Sequence, residues 1–346
     1  MALVHHGRLL AEVIASQADV HALFGGVVPE IASREHYRML GPLLDTLLGQ
    51  AHVAPGDIDV VAVARGPGLL GSLLTGLCFA KGLALGLNAT LVGVDHLHAH
   101  LLAPGLEQEL LFPALGLLVS GGHTHLYVLE DAVTLRLLGR TLDDAAGEAF
   151  DKVARTLRLP YPGGRYIDEL GQLGRVMPEL FPRPYIDNQN LDFSFSGLKT
   201  AVATYVNAHP AMLPPPGCAP QTLLQEADRY PGLADTCASF NYAVADTLRI
   251  KTERALRQAR HVRSLIVAGG VAANRRVREV MTGVAREASL TLSMPSPRFC
   301  TDNGAMIAWA GECLFRAGLH HDCALDAIPR GQTVPFDYLR AAGQAS

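Results

Sequence analysis

Apolar and polar positions along this chain fall into two rhythms, continuous runs and helical stripes, and their alternation predicts strands interleaved with helices. The apolar run over 59–64 reads as a buried strand. Arg65-Gly66-Pro67-Gly68 then makes a turn that feeds an Ala/Leu/Gly-rich helix over 69–85. A second apolar strand, Thr90-Leu91-Val92-Gly93-Val94, leads into His96-Leu97-His98-Ala99-His100, and Asp95 stands where the N-cap of that helix belongs. Two apolar runs over 115–120 and 125–129 flank Gly121-Gly122-His123-Thr124, which predicts a hairpin. Asp143-Asp144 is expected to cap a helix running to about Leu157, with Phe150, Val153 and Leu157 on one face, and Tyr161-Pro162-Gly163-Gly164 ends that unit.

From about Gly171 to Asp235 the pattern loosens, with prolines at 210, 214, 215, 216 and 220, as in a partly helical insertion. An arginine-rich helix follows, then the strand Ser264–Ala268, the turn Gly269-Gly270 and a helix opened by Val271-Ala272-Ala273-Asn274. Finally, Thr301-Asp302-Asn303-Gly304 opens a helix over 305–315, which puts Asp302 at a helix mouth. Strands alternating with helices in this way predict an α/β fold with helices flanking its sheets.

A chain of 346 residues with 49% hydrophobic and 18% charged content has ample core and is expected to form two lobes. Apolar runs of membrane-spanning length are all interrupted by Gly, Pro or a charge, and no signal peptide precedes the first motif, so a soluble, cytoplasmic protein is expected. The six cysteines show no C-x-x-C pair, which fits reduced thiols serving as small buried hydrophobes. A net charge of −4 argues against a globally basic nucleic-acid coat. Arg249, Lys251, Arg254, Arg257, Arg260 and Arg263, followed by Arg275, Arg276 and Arg278, read as a solvated helix face and leave local phosphate contacts open.

The candidate chemistry begins with His96 and His100, which share one helix face because they are four residues apart. Two imidazoles on adjacent turns can grip a divalent cation, but holding it needs a third ligand from elsewhere. The zinc-protease spacing H-E-x-x-H is absent, and a histidine pair also arises by chance in a chain with 14 histidines, so a plain helix turn is the alternative. His98 points to the other face. The glycine turns at Ser120-Gly121-Gly122 and Gly269-Gly270 let backbone amides approach an anion, or simply make tight turns. Asp302 is a helix cap or, with the two histidines, the carboxylate of a site suited to one Fe(II) or Zn(II) ion.

Nine segments in order carry a resemblance that decides between these readings. They are Phe24-Gly25-Gly26-Val27-Val28-Pro29-Glu30-Ile31-Ala32-Ser33-Arg34, Ala64-Arg65-Gly66-Pro67-Gly68, His96-Leu97-His98-Ala99-His100, Leu118-Val119-Ser120-Gly121-Gly122-His123-Thr124 and Asp143-Asp144-Ala145-Ala146-Gly147-Glu148-Ala149-Phe150-Asp151-Lys152, followed by Tyr161-Pro162-Gly163-Gly164, Phe193-Ser194-Phe195-Ser196-Gly197-Leu198-Lys199-Thr200, Ala268-Gly269-Gly270-Val271-Ala272-Ala273-Asn274 and Cys300-Thr301-Asp302-Asn303-Gly304-Ala305-Met306. Together they resemble the bacterial TsaD family, the tRNA N6-adenosine threonylcarbamoyltransferases, over nearly the whole chain.

The resemblance implies a two-lobed α/β fold of the actin and sugar-kinase kind whose cleft holds threonylcarbamoyl-adenylate. It assigns residues 1–102 with 303–330 to the first lobe, 103–302 to the second, with the helical insertion at about 165–235, and 331–346 to a C-terminal tail. His96, His100 and Asp302 fall on the family's metal ligands. Leu118, Val119, Ser120, Gly121 and Gly122 match its ligand-binding hairpin, and Asp151, Gly164, Asp168 and Asn274 match further ligand contacts. The implied reaction moves the threonylcarbamoyl group to N6 of the adenosine 3′ of the anticodon in ANN-decoding tRNAs, with metal assistance. The implied partners are tRNA, a TsaB-like paralogue, for which the 69–85 helix is a candidate surface, and a TsaE-like ATPase.

Two departures stand out. Met1-Ala2-Leu3-Val4-His5-His6-Gly7 resembles the second strand of the first lobe, and the family's opening strand and turn have no counterpart, which predicts an exposed sheet edge or a gap. His98 replaces a residue that is often acidic and adds an imidazole near the site. Other classes fit less well. A metalloprotease needs a glutamate between the histidines, a sugar or acetate kinase wants a magnesium-binding aspartate instead of the pair, and a non-catalytic paralogue has no need to keep the ligands.

Overall fold

The computed structural model describes residues 1–16 and 28–340 of the chain. The Phe24-Gly25-Gly26-Val27 part of the first motif and the tail beyond residue 340 lie outside the described residues. Two compact units emerge, one of residues 1–110 and 301–346, the other of residues 111–300.

The first unit opens with β1 (Ala2–His5) and β2 (Arg8–Glu12), which pair with each other as an antiparallel two-stranded sheet. Helix α1 (Pro29–Ala51) is followed by β3 (Val60–Gly66), α2 (Leu70–Leu87), β4 (Thr90–Asp95) and the short α3 (His96–Leu102). β3 and β4 run parallel, from Val60 opposite Thr90 to Gly66 opposite Asp95, as a strand–helix–strand crossover requires. α2 is long and apolar enough to span a membrane by length and composition, with a mean hydropathy of 1.6. On its inner face Leu77, Ala80 and Ala84 are buried in one apolar cluster with Val61 of β3 and Leu91 of β4. Its outer face leaves Leu70, Leu74 and Leu85 exposed.

In the second unit, β5 (Ala114–Val119), β6 (Thr124–Leu129) and β7 (Leu135–Arg140) form the meander that contains the expected hairpin. Helices α4 (Ala146–Thr156), α5 (Gly163–Gly171), α6 (Ser196–Ala208), α7 (Pro220–Gln225) and α8 (Leu233–Gln258) follow, then β8 (Ser264–Ala268), α9 (Arg275–Glu287), β9 (Thr291–Ser293) and α10 (Pro297–Cys300). The strands make one mixed sheet in the order β7-β6-β5-β8-β9, with β5 parallel to β8. Every residue of β5 and β8 is buried, as expected for central strands covered on both faces. The core is continuous from Leu115 and Val119 through Phe150 and Phe240, whose rings meet edge to face at 5.0 Å, to Val277 and Met281. The chain then returns to the first unit with α11 (Gly304–Arg316), β10 (Leu319–His320) and β11 (Leu339–Arg340).

One expected cap is corrected. α4 starts at Ala146 after Ala145, and neither Asp143 nor Asp144 caps it. Thr124 Oγ1 accepts from the Ala146 amide at 2.9 Å instead. Asp143 accepts from Ser196 Oγ and the Phe195 amide, and Asp144 pairs with Lys152. Asp143 thus ties its loop to a segment some fifty residues on, a distance that local pattern does not reveal, whereas Asp144 pairs with a side chain of α4 itself.

Candidate metal centre and ligand turns

The histidine helix is set by its cap. The Asp95 carboxylate accepts from the Leu97 and His98 amides at 2.8 and 3.4 Å, satisfying two free donors at the helix start and fixing where the helical turn begins. His96 and His100 then stack on one face with ring centroids 4.6 Å apart. The third group arrives from the start of α11, where the expectation of Asp302 as the helix-mouth residue shifts by one position. Asn303 is the cap, its Oδ1 accepting from the Met306 amide at 2.8 Å. Asp302 is therefore free of capping, and its Oδ1 lies 3.3 Å from His96 Nε2 and 3.1 Å from His100 Nε2.

These three donor atoms lie within 4.8 Å of one another and, among the described residues, form the one cluster of three or more His, Cys, Asp or Glu groups able to hold a metal. His98 is not part of it. Desolvation opposes charge on all three side chains. In His96 it is outweighed by the hydrogen bond and charge of Asp302, which raise the pKa; in His100 burial prevails and lowers it. The Asp302 side chain is 79% exposed, and against partial desolvation by its neighbours the hydrogen bonds from His100 and His96 hold its carboxyl well below the usual range. Both imidazoles converge on a single carboxylate oxygen.

The donor set fits a divalent ion of the zinc or iron type: two imidazole nitrogens and one carboxylate oxygen, with further coordination positions left for other ligands. His100 adds a sharper observation. Its Nδ1 is buried and has no hydrogen-bond partner, so the ring is incompletely satisfied whichever tautomer it adopts, with or without an ion at Nε2.

The second unit gathers the remaining sequence-predicted residues into two places. The hairpin turn is closed by its own serine: the Ser120 amide donates to His123 O at 2.8 Å, and Ser120 Oγ accepts from the His123 amide at 3.1 Å. Leu118 and Val119 are fully buried within the sheet. Since Leu118 of β5 is opposite Ala268 of β8, this turn and Gly269-Gly270 stand at the same end of neighbouring parallel strands. Gly269 makes the approach possible. Its φ is +95°, and a Cβ there would meet Val119 O at 2.5 Å. The two glycine turns are thus one backbone-lined feature.

Asp151, Gly164, Asp168 and Asn274 occupy the other place, around the start of α5 and α9. Asp151 Oδ1 accepts from the Gly163 amide at 3.0 Å, and both Asp168 oxygens lie within 3.4 Å of the Arg275 amide. Burial raises the pKa of both carboxyls against the effect of these amides. Asn274 caps α9 by accepting from the Val277 amide, and its Nδ2 donates to Asn241 Oδ1 at 2.7 Å. Asn241 in turn donates to Ile167 O at 3.0 Å. Asn241 and Thr124 escaped the sequence reading. An asparagine beside Phe240 on an otherwise apolar stripe of α8 was the available signal for the first.

The family model described as TsaD, tRNA N6-adenosine threonylcarbamoyltransferase, matches residues 8–309. The chain belongs to this family. A tRNA N6-adenosine threonylcarbamoyltransferase of Nitratidesulfovibrio vulgaris is 64% identical over 340 residues, covering 98% of this chain and 94% of the relative. One from Maridesulfovibrio salexigens is 60% identical over 339 residues, covering 98% and 95%. The family identifies the chain as a transferase of tRNA threonylcarbamoyl modification. Among solved structures, HypF from T. kodakarensis shares the fold with a TM-score of 0.52 at 14% identity, over 80% of this chain and 43% of that one. The mixed sheet flanked by helices and this neighbour place the chain in the actin and sugar-kinase-like α/β class expected from the family resemblance.

Proposed function

We propose that this enzyme transfers the threonylcarbamoyl group from threonylcarbamoyl-adenylate to N6 of the adenosine 3′ of the anticodon in ANN-decoding tRNAs, assisted by one Fe(II) or Zn(II) ion held by His96, His100 and Asp302. The observation that carries the metal assignment is the convergence of both Nε2 atoms on Asp302 Oδ1. When bound, such an ion supplies Lewis acidity toward a carbonyl or carboxylate oxygen.

In the reaction a bond forms between N6 and the carbamoyl carbon, the bond from that carbon to the phosphate oxygen breaks, AMP leaves and the amine loses a proton. The protein's own part is orientation. Asp95 and Asn303 hold the three ligand groups in place through their caps. We assign donor binding to Leu118, Val119, Ser120, Gly121, Gly122, Asp151, Gly164, Asp168 and Asn274. The amides of the glycine turns suit the anionic phosphate, and the two carboxyls suit hydroxyl groups. The exposed apolar face of α2, with Leu70, Leu74 and Leu85, is the surface we assign to a TsaB-like paralogue. A TsaE-like ATPase and a cytoplasmic location complete the reading.

The test is transfer of labelled threonylcarbamate to an ANN-decoding tRNA by the purified chain, supplied with the adenylate and its paralogue. Label on the target adenosine supports the assignment. An unmodified acceptor tRNA left without label, while a relative labels it under the same conditions, refutes it, and equal transfer by His96→Ala removes the metal from the reaction.

A further inference from the structure

The strand that delivers the histidines is held from its far edge by the segment just before residue 340. The Thr90 amide bonds to Asp59 O, so the even-numbered residues of β4 direct their backbone groups toward β3, and Leu91, Gly93 and Asp95 direct theirs the other way. That second edge is covered residue by residue. Leu91 O accepts from the His321 amide at 2.8 Å, the Gly93 amide donates to His321 Nδ1 at 3.1 Å, and Gly93 O accepts from the Tyr338 hydroxyl at 3.0 Å. The next residue on this edge is Asp95, the cap of α3.

The same segment closes over Arg65. This guanidinium is 1% exposed, yet it is a cation and must be paired. Asp337 takes it with both oxygens, and the Arg65 Nε donates to Asp326 O at 3.3 Å. His321 Nδ1 accepts from the Gly93 amide, and its Nε2 lies 3.1 Å from Arg65 Nη1 and 3.4 Å from Asp337 Oδ1, inside the same cluster. The Tyr338 ring lies on His321 with centroids 4.5 Å apart, and β11 pairs with β10. Arg65 directly precedes Gly66, the residue opposite Asp95 in the β3–β4 register.

We propose that Asp337 and Tyr338 are positioning residues for the metal-binding helix: by locking Arg65, His321 and the outer edge of β4 up to Gly93, they fix the point at which Asp95 caps α3 and so where His96 and His100 stand. The consequence for metal binding rests on the reading of the triad given above, whereas the mechanical linkage does not.

Hydrogen exchange in the metal-free full chain separates the two. Tyr338→Phe removes one hydroxyl and keeps the ring, and Asp337→Asn keeps the shape while removing the charge. Each should speed exchange at the Leu97 and His98 amides by about tenfold while the β5 amides exchange at the wild-type rate. Zn(II) affinity, measured by chelator competition, should fall on the order of tenfold, the usual range for groups that orient metal ligands. Wild-type exchange at Leu97 and His98 in Tyr338→Phe overturns the proposal, as does acceleration spread equally over β5, which marks general destabilisation. If wild type and His100→Ala take up Zn(II) equally, the metal reading fails and the exchange result still decides the linkage.

Discussion

Replacing Gly269 with alanine should damage the second unit far more than the same change one residue later. At Gly269 the backbone is at φ +95° and ψ 168°, a region held almost entirely by glycine that costs an L-residue about 1–3 kcal/mol. The added Cβ would also sit 2.5 Å from Val119 O and 2.8 Å from Val119 C. Those are backbone atoms of a fully buried strand, so relief requires β5 and β8 to separate, which adds roughly 1–3 kcal/mol by the usual measure of overpacking. The sum, about 2–6 kcal/mol, is a large part of the roughly 5–15 kcal/mol that stabilises a typical domain. At Gly270 an added Cβ meets nothing within 4 Å, so Gly270→Ala should stay within about 0.5 kcal/mol of wild type. Thermal unfolding followed by circular dichroism reads the difference as a midpoint drop on the order of 5–15 °C for Gly269→Ala and little change for Gly270→Ala. Equal midpoints for the two variants would refute the argument that close approach of the two strand ends is what requires glycine.

Lys251 supplies a pH test. Buried within α8 and bonded to Asn188 and Asn190, it pairs with no carboxylate among the described residues, and burial lowers its pKa from 10.5 to about 8. Between those two values the unfolded chain keeps a proton that the folded chain has lost, so stability should rise with pH across that window in wild type relative to Lys251→Met; urea titrations with parallel pH profiles would contradict this. The outer face of α2 supplies a partner test. Leu74→Asp and Leu85→Asp change side chains that are 40% and 70% exposed, so folding should shift by less than about 1 kcal/mol while co-elution with the paralogue is lost; retained co-elution would place that partner elsewhere.

Much of the fold was legible because its signals are local. The apolar runs at β3, β4, β5 and β8 and the glycine turns after them announce strands and turns without reference to anything distant. Asp95 was legible as a cap for the same reason. The errors came where a side chain acts at long range. Asp143 and Asp144 look like caps for α4, yet their partners are Phe195, Ser196 and Lys152, and the capping hydroxyl comes from Thr124 on β6. Asp302 and Asn303 are both good capping residues, and only the position of the two imidazoles shows why the second takes the cap and the first does not. Nor does spacing reveal that β5 and β8 are neighbours, the fact that merges two separate glycine pairs into one feature.

The central claim is that His96, His100 and Asp302 together hold one divalent cation. Its most direct measurement is the metal content of the purified chain after equilibration with Zn(II) or Fe(II) and removal of excess, set against His100→Ala and Asp302→Ala. The account predicts about one ion per wild-type chain and a loss of tight binding in either variant. Undiminished metal content in both variants, with their fold intact by circular dichroism, would contradict it.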